Sequence, residues 1–237
     1  MLQPLHSALE DMHVHSTFSD GRDSVRDNLE AAQRRGLRRL TCVDHVRLDS
    51  DYVPQLVAEV RQLRSQTPIE LYVGVEAKIL DGSGLLDVPP LLPGVDFIYA
   101  ADHQFPLGDR CYKPVEIRHR LRAGELSAEE VTRALVRASI AAMLRYSQVV
   151  LAHLFSVLPK VGIAEDSVPI NLLRDLAEVA HLRRASVEID ERWRCPGVRT
   201  LRAFRAAEVP ILSSTDSHAK ENIGVYSYVN ETLAQVL

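Results

Sequence analysis

Short apolar runs recur along this chain, and one after another closes on a histidine or a carboxylate. They end in His13-Val14-His15, Asp44-His45, Val75-Glu76, Asp102-His103, Ala152-His153 and Asp216-Ser217-His218, and Asp20 follows the first inside Ser19-Asp20-Gly21. Six of the nine histidines fall at these positions. If these groups act together, the fold must bring widely separated segments side by side. Parallel strands closed into a β/α barrel do so, because their C-terminal ends converge on one face. Imidazole nitrogen and carboxylate oxygen are the ligands that zinc, manganese and iron accept in mixed sites. The pattern therefore predicts a metal-dependent hydrolase.

Stretches of helical period separate the apolar runs, the alternation of βα units. Strands are predicted over 10–15, 38–44, 69–76, 95–102, 148–153, 185–190 and 209–215. Helices are predicted over 24–35, 52–65, 127–146, 169–183 and 196–207. Ser24 is the expected N-cap of the first and Gly36 its stop, while Pro196 is expected near the first turn of the last. Residues 80–94, rich in Gly and Pro, read as a loop carrying at most a short helix. With no repeat or linker, the 237 residues are expected to form a single domain over 1–237. The expected class is α/β, a (β/α)7 TIM-like barrel one strand short of the usual eight. A doubly wound open sheet also satisfies the alternation, but it would spread the ligands along a line.

Net charge is -4 and the pI is about 6.1, which argues against a nucleic-acid partner or an anionic membrane. No run approaches the roughly 20 apolar residues of a membrane span. The opening MLQPLHSALED lacks the basic start and apolar segment of a signal peptide, so a cytoplasmic location is expected. Cys42, Cys111 and Cys195 are odd in number, lack C-x-x-C spacing and read as reduced thiols. Cys42 is expected in the core. Cys195, in WRCPG, is the one thiol placed near the site as a candidate metal or substrate contact.

His13 and His15, two apart on a strand, point to one face. A lone H-x-H is a weak signal. Unrelated imidazoles at the ends of several separate strands are harder to explain without a metal. Glu76 would be a costly charge at a barrel mouth without a cation to neutralise it. His6, His119 and His181 fit no strand end and read as surface or packing residues. Asp44 and Asp102, next to ligand candidates, are expected to accept hydrogen bonds from ligand histidines.

In type and order, His13-Val14-His15-Ser16, Phe18-Ser19-Asp20-Gly21, Asp44-His45, Gly74-Val75-Glu76 and Thr215-Asp216-Ser217-His218 resemble the motifs of the PHP (polymerase and histidinol phosphatase) superfamily. The resemblance implies a distorted seven-stranded barrel holding two to three divalent ions, Zn, Mn or Fe. It implies that His13, His15, Glu76 and Asp216 hold one metal and Asp20, His45 and His218 a second. Glu76, as a bridge, would join His103 and His153 around a third. The segment Ala101-Asp102-His103-Gln104-Phe105-Pro106 departs from the small-residue-Val-His form of histidinol-phosphate phosphatases, which leaves the third metal and the substrate less defined.

The expected reaction is hydrolysis of a small phosphorylated metabolite, histidinol phosphate or a related monoester or nucleotide, by attack of a metal-bridging hydroxide. Glu76, Asp216 and Arg192 are the catalytic candidates; Arg192, Arg194 and Lys220 are the substrate-binding candidates. Arg192 and Arg194 follow the strand ASVEID onto the ligand-bearing rim, where a guanidinium fork suits phosphate. Arg47, Lys78 and Lys160 also lie close to strand ends. Three rivals remain open. A PHP-type nuclease or phosphodiesterase would want a basic groove and stacking aromatics. An amidohydrolase barrel commonly carries a lysine at the mid-barrel strand end, where this chain has Glu76. A non-catalytic, metal-stabilised binding protein would keep the ligands without turnover.

Overall fold

A computed structural model describes residues 9–237. Seven strands form one parallel sheet: β1 (Glu10–Val14), β2 (Arg39–His45), β3 (Glu70–Lys78), β4 (Phe97–Ala101), β7 (Val149–Ala152), β8 (Ser186–Asp190) and β9 (Ile211–Ser214), in that spatial order. They coincide within about two residues with the seven expected strands, as an α/β chain of βα units requires. Helices α1 (Val25–Arg34), α2 (Val53–Arg64), α4 (Ala128–Arg145), α5 (Ile170–Arg183) and α6 (Val198–Ala206) are the five expected ones. A hairpin of β5 (Phe105–Leu107) and β6 (Arg110–Tyr112), the helix α3 (Pro114–Arg122) and the terminal helix α7 (Tyr228–Val236) are elements that the sequence pattern does not predict.

The helix limits follow from local chemistry. Ser24 caps α1 through its hydroxyl on Asp27 N at 3.1 Å, and Asp27 returns the bond to Ser24 N. Gly36 then ends the helix at φ 72°. α6 differs from expectation. Its cap is Gly197, so Pro196 lies outside the first turn rather than within it.

The sheet closes into a barrel by unusual means. β1 and the chain just past β9 share a single bridge, Val14 with Ser217, where His15 N donates to Ser217 O at 2.8 Å. Below it, side chains take the place of a ladder. Glu10 accepts Ser213 N–H at 3.0 Å, and Asp11 accepts the N–H and hydroxyl of Thr215 at 3.0 and 2.6 Å. Both carboxylates are fully buried. Inside the barrel a small layer of Met12, Val43, Tyr99, Val150 and Leu212 floors the upper end, and the Tyr99 hydroxyl donates to Met12 O. The larger core lies between sheet and helices.

No helix among the described residues is long and apolar enough to cross a membrane. All three cysteines are unpaired, and Cys42 is a core residue of β2 as expected. His119 and His181 are exposed, also as expected; His6 lies outside the described residues.

Candidate metal centre

The upper end of the barrel collects the nine histidine and carboxylate ligand candidates named from the sequence. β1 delivers His13 and the residue after it His15; β2 ends on His45; β3 carries Glu76. His103 and His153 follow β4 and β7, and Asp216 and His218 follow β9. His153 and Asp216 hold positive φ, 28° and 48°, conformations that non-glycine residues adopt only where the surroundings enforce them. Asp20 arrives on a loop that folds back on β1. Gly21 N donates to Ser16 O at 2.9 Å, and a Cβ on Gly21 would stand 2.6 Å from the backbone of His15 and Ser16. Only glycine fits there.

Glu76 is the hub. Its Oε1 lies 2.9 Å from His153 Nε2 and 3.0 Å from His103 Nε2. Its Oε2 lies 2.8 Å from His45 Nδ1, 3.5 Å from His15 Nε2 and 3.6 Å from His13 Nε2. Thus the two oxygens of one buried carboxylate face different sets of imidazoles. Asp216 Oδ1 is 3.0 Å from His15 Nε2. Asp20 sits 3.3 Å from His218, 3.5 Å from His45 and 3.6 Å from His15. Three groups of ligand atoms close enough to surround an ion follow: His15, Asp20, His45 and His218; His13, His15 and Asp216; and Glu76, His103 and His153. His15 thus belongs to two groups, its Nε2 toward Asp216 as the family resemblance implied and its Nδ1 toward Asp20.

Two observations test whether metals suit these groups. His13 Nε2 and His15 Nε2 face each other at 3.1 Å, and buried His15 Nδ1 has no hydrogen-bond partner. Burial pushes His15 down to about 4, toward the neutral imidazole that binds metal. Burial alone would raise the Glu76 pKa, but hydrogen bonds from His103, His13, His153 and His45 hold it well below the ordinary range. Converging lone pairs on neutral and anionic donors are what a divalent cation satisfies.

A layer behind the ligands fixes their orientation. Glu188 Oε2 lies 2.9 Å from His13 Nδ1, and its Oε1 accepts the backbone N–H of His153. Asp102 accepts Phe155 N at 2.8 Å and Ser156 Oγ at 2.9 Å, while Ser156 Oγ is 3.1 Å from His153 Nδ1. Asp102 therefore supports His153, as expected of it. Asp44 does not serve a histidine. It accepts from Ser16 N, Ser16 Oγ and Ser19 Oγ at 2.9, 2.7 and 2.6 Å, holding the loop that carries Asp20. The reason is the pleat: His45 turns to the site, so Asp44 turns toward the β1 loop. Trp193 Nε1 donates to Asp216 Oδ2 at 2.7 Å.

Glu188, Asp190 and Trp193 are not among the residues that sequence reasoning singles out. His13, Glu188 and Asp190 are also close enough to suggest an ion site. A neutral imidazole has one lone pair, however, and were His13 to turn the Nε2 lone pair to a cation, Nδ1–H would be left to donate to Glu188. The available signal is the alternation in Ser186-Val187-Glu188-Ile189-Asp190, polar toward the barrel axis and apolar toward the helices. Burial, with the charges of Glu188 and Asp216, raises Asp190 well above the usual carboxylate range.

Arg192 places Nη1 2.6 Å from His218 Nδ1 and 3.5 Å from Asp216 Oδ2. It lines a cavity of about 470 Å³ together with Arg22, Glu191, Asp216 and His218. A second cavity, about 730 Å³, opens over Asp20, His45, Glu76 and His103, and its wall includes Arg47, Lys78 and Asp87. Arg194 and Lys220 line neither. Arg194 lies over the Tyr228 ring at 5.1 Å, and Lys220 Nζ pairs with Asp23 at 3.1 Å and Asp27 at 3.7 Å. Lys160 Nζ lies 4.4 Å over the Trp193 ring. Cys195 belongs to none of the ligand groups, and burial raises its thiol well above its ordinary value.

The PHP domain family profile matches residues 11–163. A stretch of 73 residues, 31% of the chain, is 37% identical to phosphoribosyl 1,2-cyclic phosphate 1,2-diphosphodiesterase of Eggerthella lenta, of which it spans 26%. Among solved structures, the histidinol phosphate phosphatase of Lactococcus lactis, crystallised with zinc, L-histidinol and phosphate, superposes with a TM-score of 0.65 at 17% identity, over 97% of this chain and 92% of that one. The protein named hisK from Listeria monocytogenes gives the same TM-score at 12% identity, over 93% of this chain and 99% of that one. At these identities the two superpositions establish a shared fold.

Proposed function

The chain belongs to the PHP domain family, and from that premise we propose that it is a metal-dependent phosphoesterase acting on a small phosphorylated metabolite. The observation that carries this reading is Glu76, with one oxygen toward His103 and His153 and the other toward His13, His15 and His45. A carboxylate so placed suits a bridge between divalent ions, zinc, manganese or iron. His13, His15 and Asp216 would hold one ion, His103 and His153 a second with Glu76 between the two, and Asp20, His45 and His218, with His15 shared, a third. Ions held there acidify bound water and clamp phosphate oxygens during in-line displacement.

The protein's own groups do the rest. Glu188, Asp102 and Trp193 keep His13, His153 and Asp216 in place, so little reorganisation is needed during reaction. His13, His15, Glu76 and His153 are buried, whereas the Asp20 side chain is 54% exposed and His45 and His103 face the larger cavity. Substrate enters from that side. Arg192, its side chain 48% exposed beside Asp216 and His218, offers a guanidinium fork to phosphate oxygens. Arg194 and Lys220 would have to leave Tyr228 and the Asp23–Asp27 pair to join it.

Metal analysis of the purified protein, with turnover measured on histidinol phosphate, nucleoside monophosphates, a phosphoribosyl cyclic phosphodiester and an oligonucleotide, tests the reading. Two to three ions with monoester turnover are expected. The Eggerthella relative favours a second reading, in which the scissile bond is a diester; turnover confined to the cyclic diester would select it. Bound metal without turnover of any phosphoester would leave the metal-stabilised binding protein.

A further inference from the structure

Beyond the metal ligands, the cavity over the site has a wall of unusual charge. In β2 and β3, His45 pairs with Glu76 in parallel register. Lys78 follows Glu76 by two residues within β3 and so shares its face, one step further out, while Arg47 lies two residues past His45, where β2 has ended. Val46 N donates to Glu76 O at 2.9 Å, which keeps the two chains paired past the end of β2. Both Arg47 and Lys78 line the same cavity as His45, Glu76 and His103.

Neither cation forms an ion pair among the described residues. Arg47 is exposed and Lys78 half-buried. The acid on that wall, Asp87, stands farther from both than an ion pair requires, and its Oδ1 accepts Leu48 N–H at 2.9 Å. The loop over 80–87 is itself fixed. Asp87 N donates to Lys78 O at 2.9 Å, and Ile79 bridges Leu86. By contrast, Lys220 is neutralised by Asp23 and Asp27. Two cations without an ion-pair partner thus line the cavity over the metal ligands, at the end away from Arg192.

We propose that Arg47 and Lys78 bind a second anionic group of the substrate, so that the favoured substrates are phosphoesters whose leaving portion carries its own phosphate or carboxylate. This rests on the phosphoesterase reading above. A leaving group with an ammonium would instead meet like charge at the wall.

Calorimetric titration of the metal-loaded protein with a series of ω-phosphonoalkanoates, each against its neutral primary amide, tests this anion seat independently of turnover. The phosphonate occupies the metal end in both, and only the distal charge differs. At low salt the acid of best-fitting length should bind about tenfold more tightly than its amide. In Arg47→Ala/Lys78→Ala that preference should fall to parity while amide affinity and metal content hold, and added salt should weaken it in the wild type. Equal binding of acid and amide by the wild type at every length, or a preference that survives in the double variant, overturns the proposal. Turnover of the phosphoester panel described above, followed in parallel, reports on the phosphoesterase reading alone. Absence of turnover on every member would sink that reading while the acid-to-amide ratio still decides the seat.

Discussion

Glu188 in β8 sits 2.9 Å from Nδ1 of His13 in β1, across the barrel and fully buried. Its second oxygen accepts the backbone N–H of His153, so one carboxylate orients residues from two further strands. Burial alone would depress His13, yet the charge of Glu188 and its hydrogen bond lift the imidazole well above its ordinary value. A glutamine cannot replace it. Its amide carries one acceptor, and two N–H donors need one each. Glu188→Gln should therefore weaken metal binding about 10–100-fold, with the circular dichroism of the folded chain retained. Metal titration against a competing chelator checks it, and unchanged affinity would remove Glu188 from the centre.

Because the Glu76 oxygens serve two sets of imidazoles, Glu76→Gln should lose more than one ion. The ratio of metal to protein after dialysis decides between outcomes. Loss of a single ion, or of none, is incompatible with a bridge.

Arg192 touches the site from outside, so Arg192→Ala should keep its metals and lose substrate affinity. A charge-assisted hydrogen bond is worth about 1.5–3 kcal/mol, which corresponds to a KM for phosphate esters raised roughly tenfold to a hundredfold. Steady-state kinetics on the wild type and the variant make the comparison. If KM holds and kcat falls with metal content, Arg192 acts through Asp216 and His218 instead.

The nine ligand positions are legible because each strand announces its own end: an apolar run stops and a polar donor follows. Glu188 and Glu10 are not, because a carboxylate inside a strand looks like an ordinary outward-facing residue until the barrel closes around it. The hairpin 105–112 is hidden by length, since three-residue strands carry no periodicity. Rim cations are the least legible. Arg194 takes φ 53°, which turns its side chain toward Tyr228, and Lys220 lands beside the acidic first turn of α1. Nothing in the local sequence of either announces that direction, whereas Lys78 inherits its direction from β3.

The seam itself makes a pH-dependent prediction. Burial, partly offset by Ser213 N–H and by Arg39, pushes Glu10 from 4.5 up to about 7. A raised carboxylate keeps its proton longer in the folded chain than in the unfolded one. Between about pH 4.5 and pH 7 the folded state therefore binds more protons, and stability falls as pH rises through that window. At about 1.4 kcal/mol for each pH unit that the window spans, the loss above about pH 7 is at most about 3.5 kcal/mol. Glu10→Gln keeps an acceptor for Ser213 and has nothing to ionise. Urea unfolding of both proteins in chelator, at about pH 4 and pH 8, should show the variant gaining on the wild type by up to that amount at the higher pH. Parallel stability curves would mean that Glu10 ionises in the folded seam as readily as in the unfolded chain, and that Arg39 compensates its burial in full.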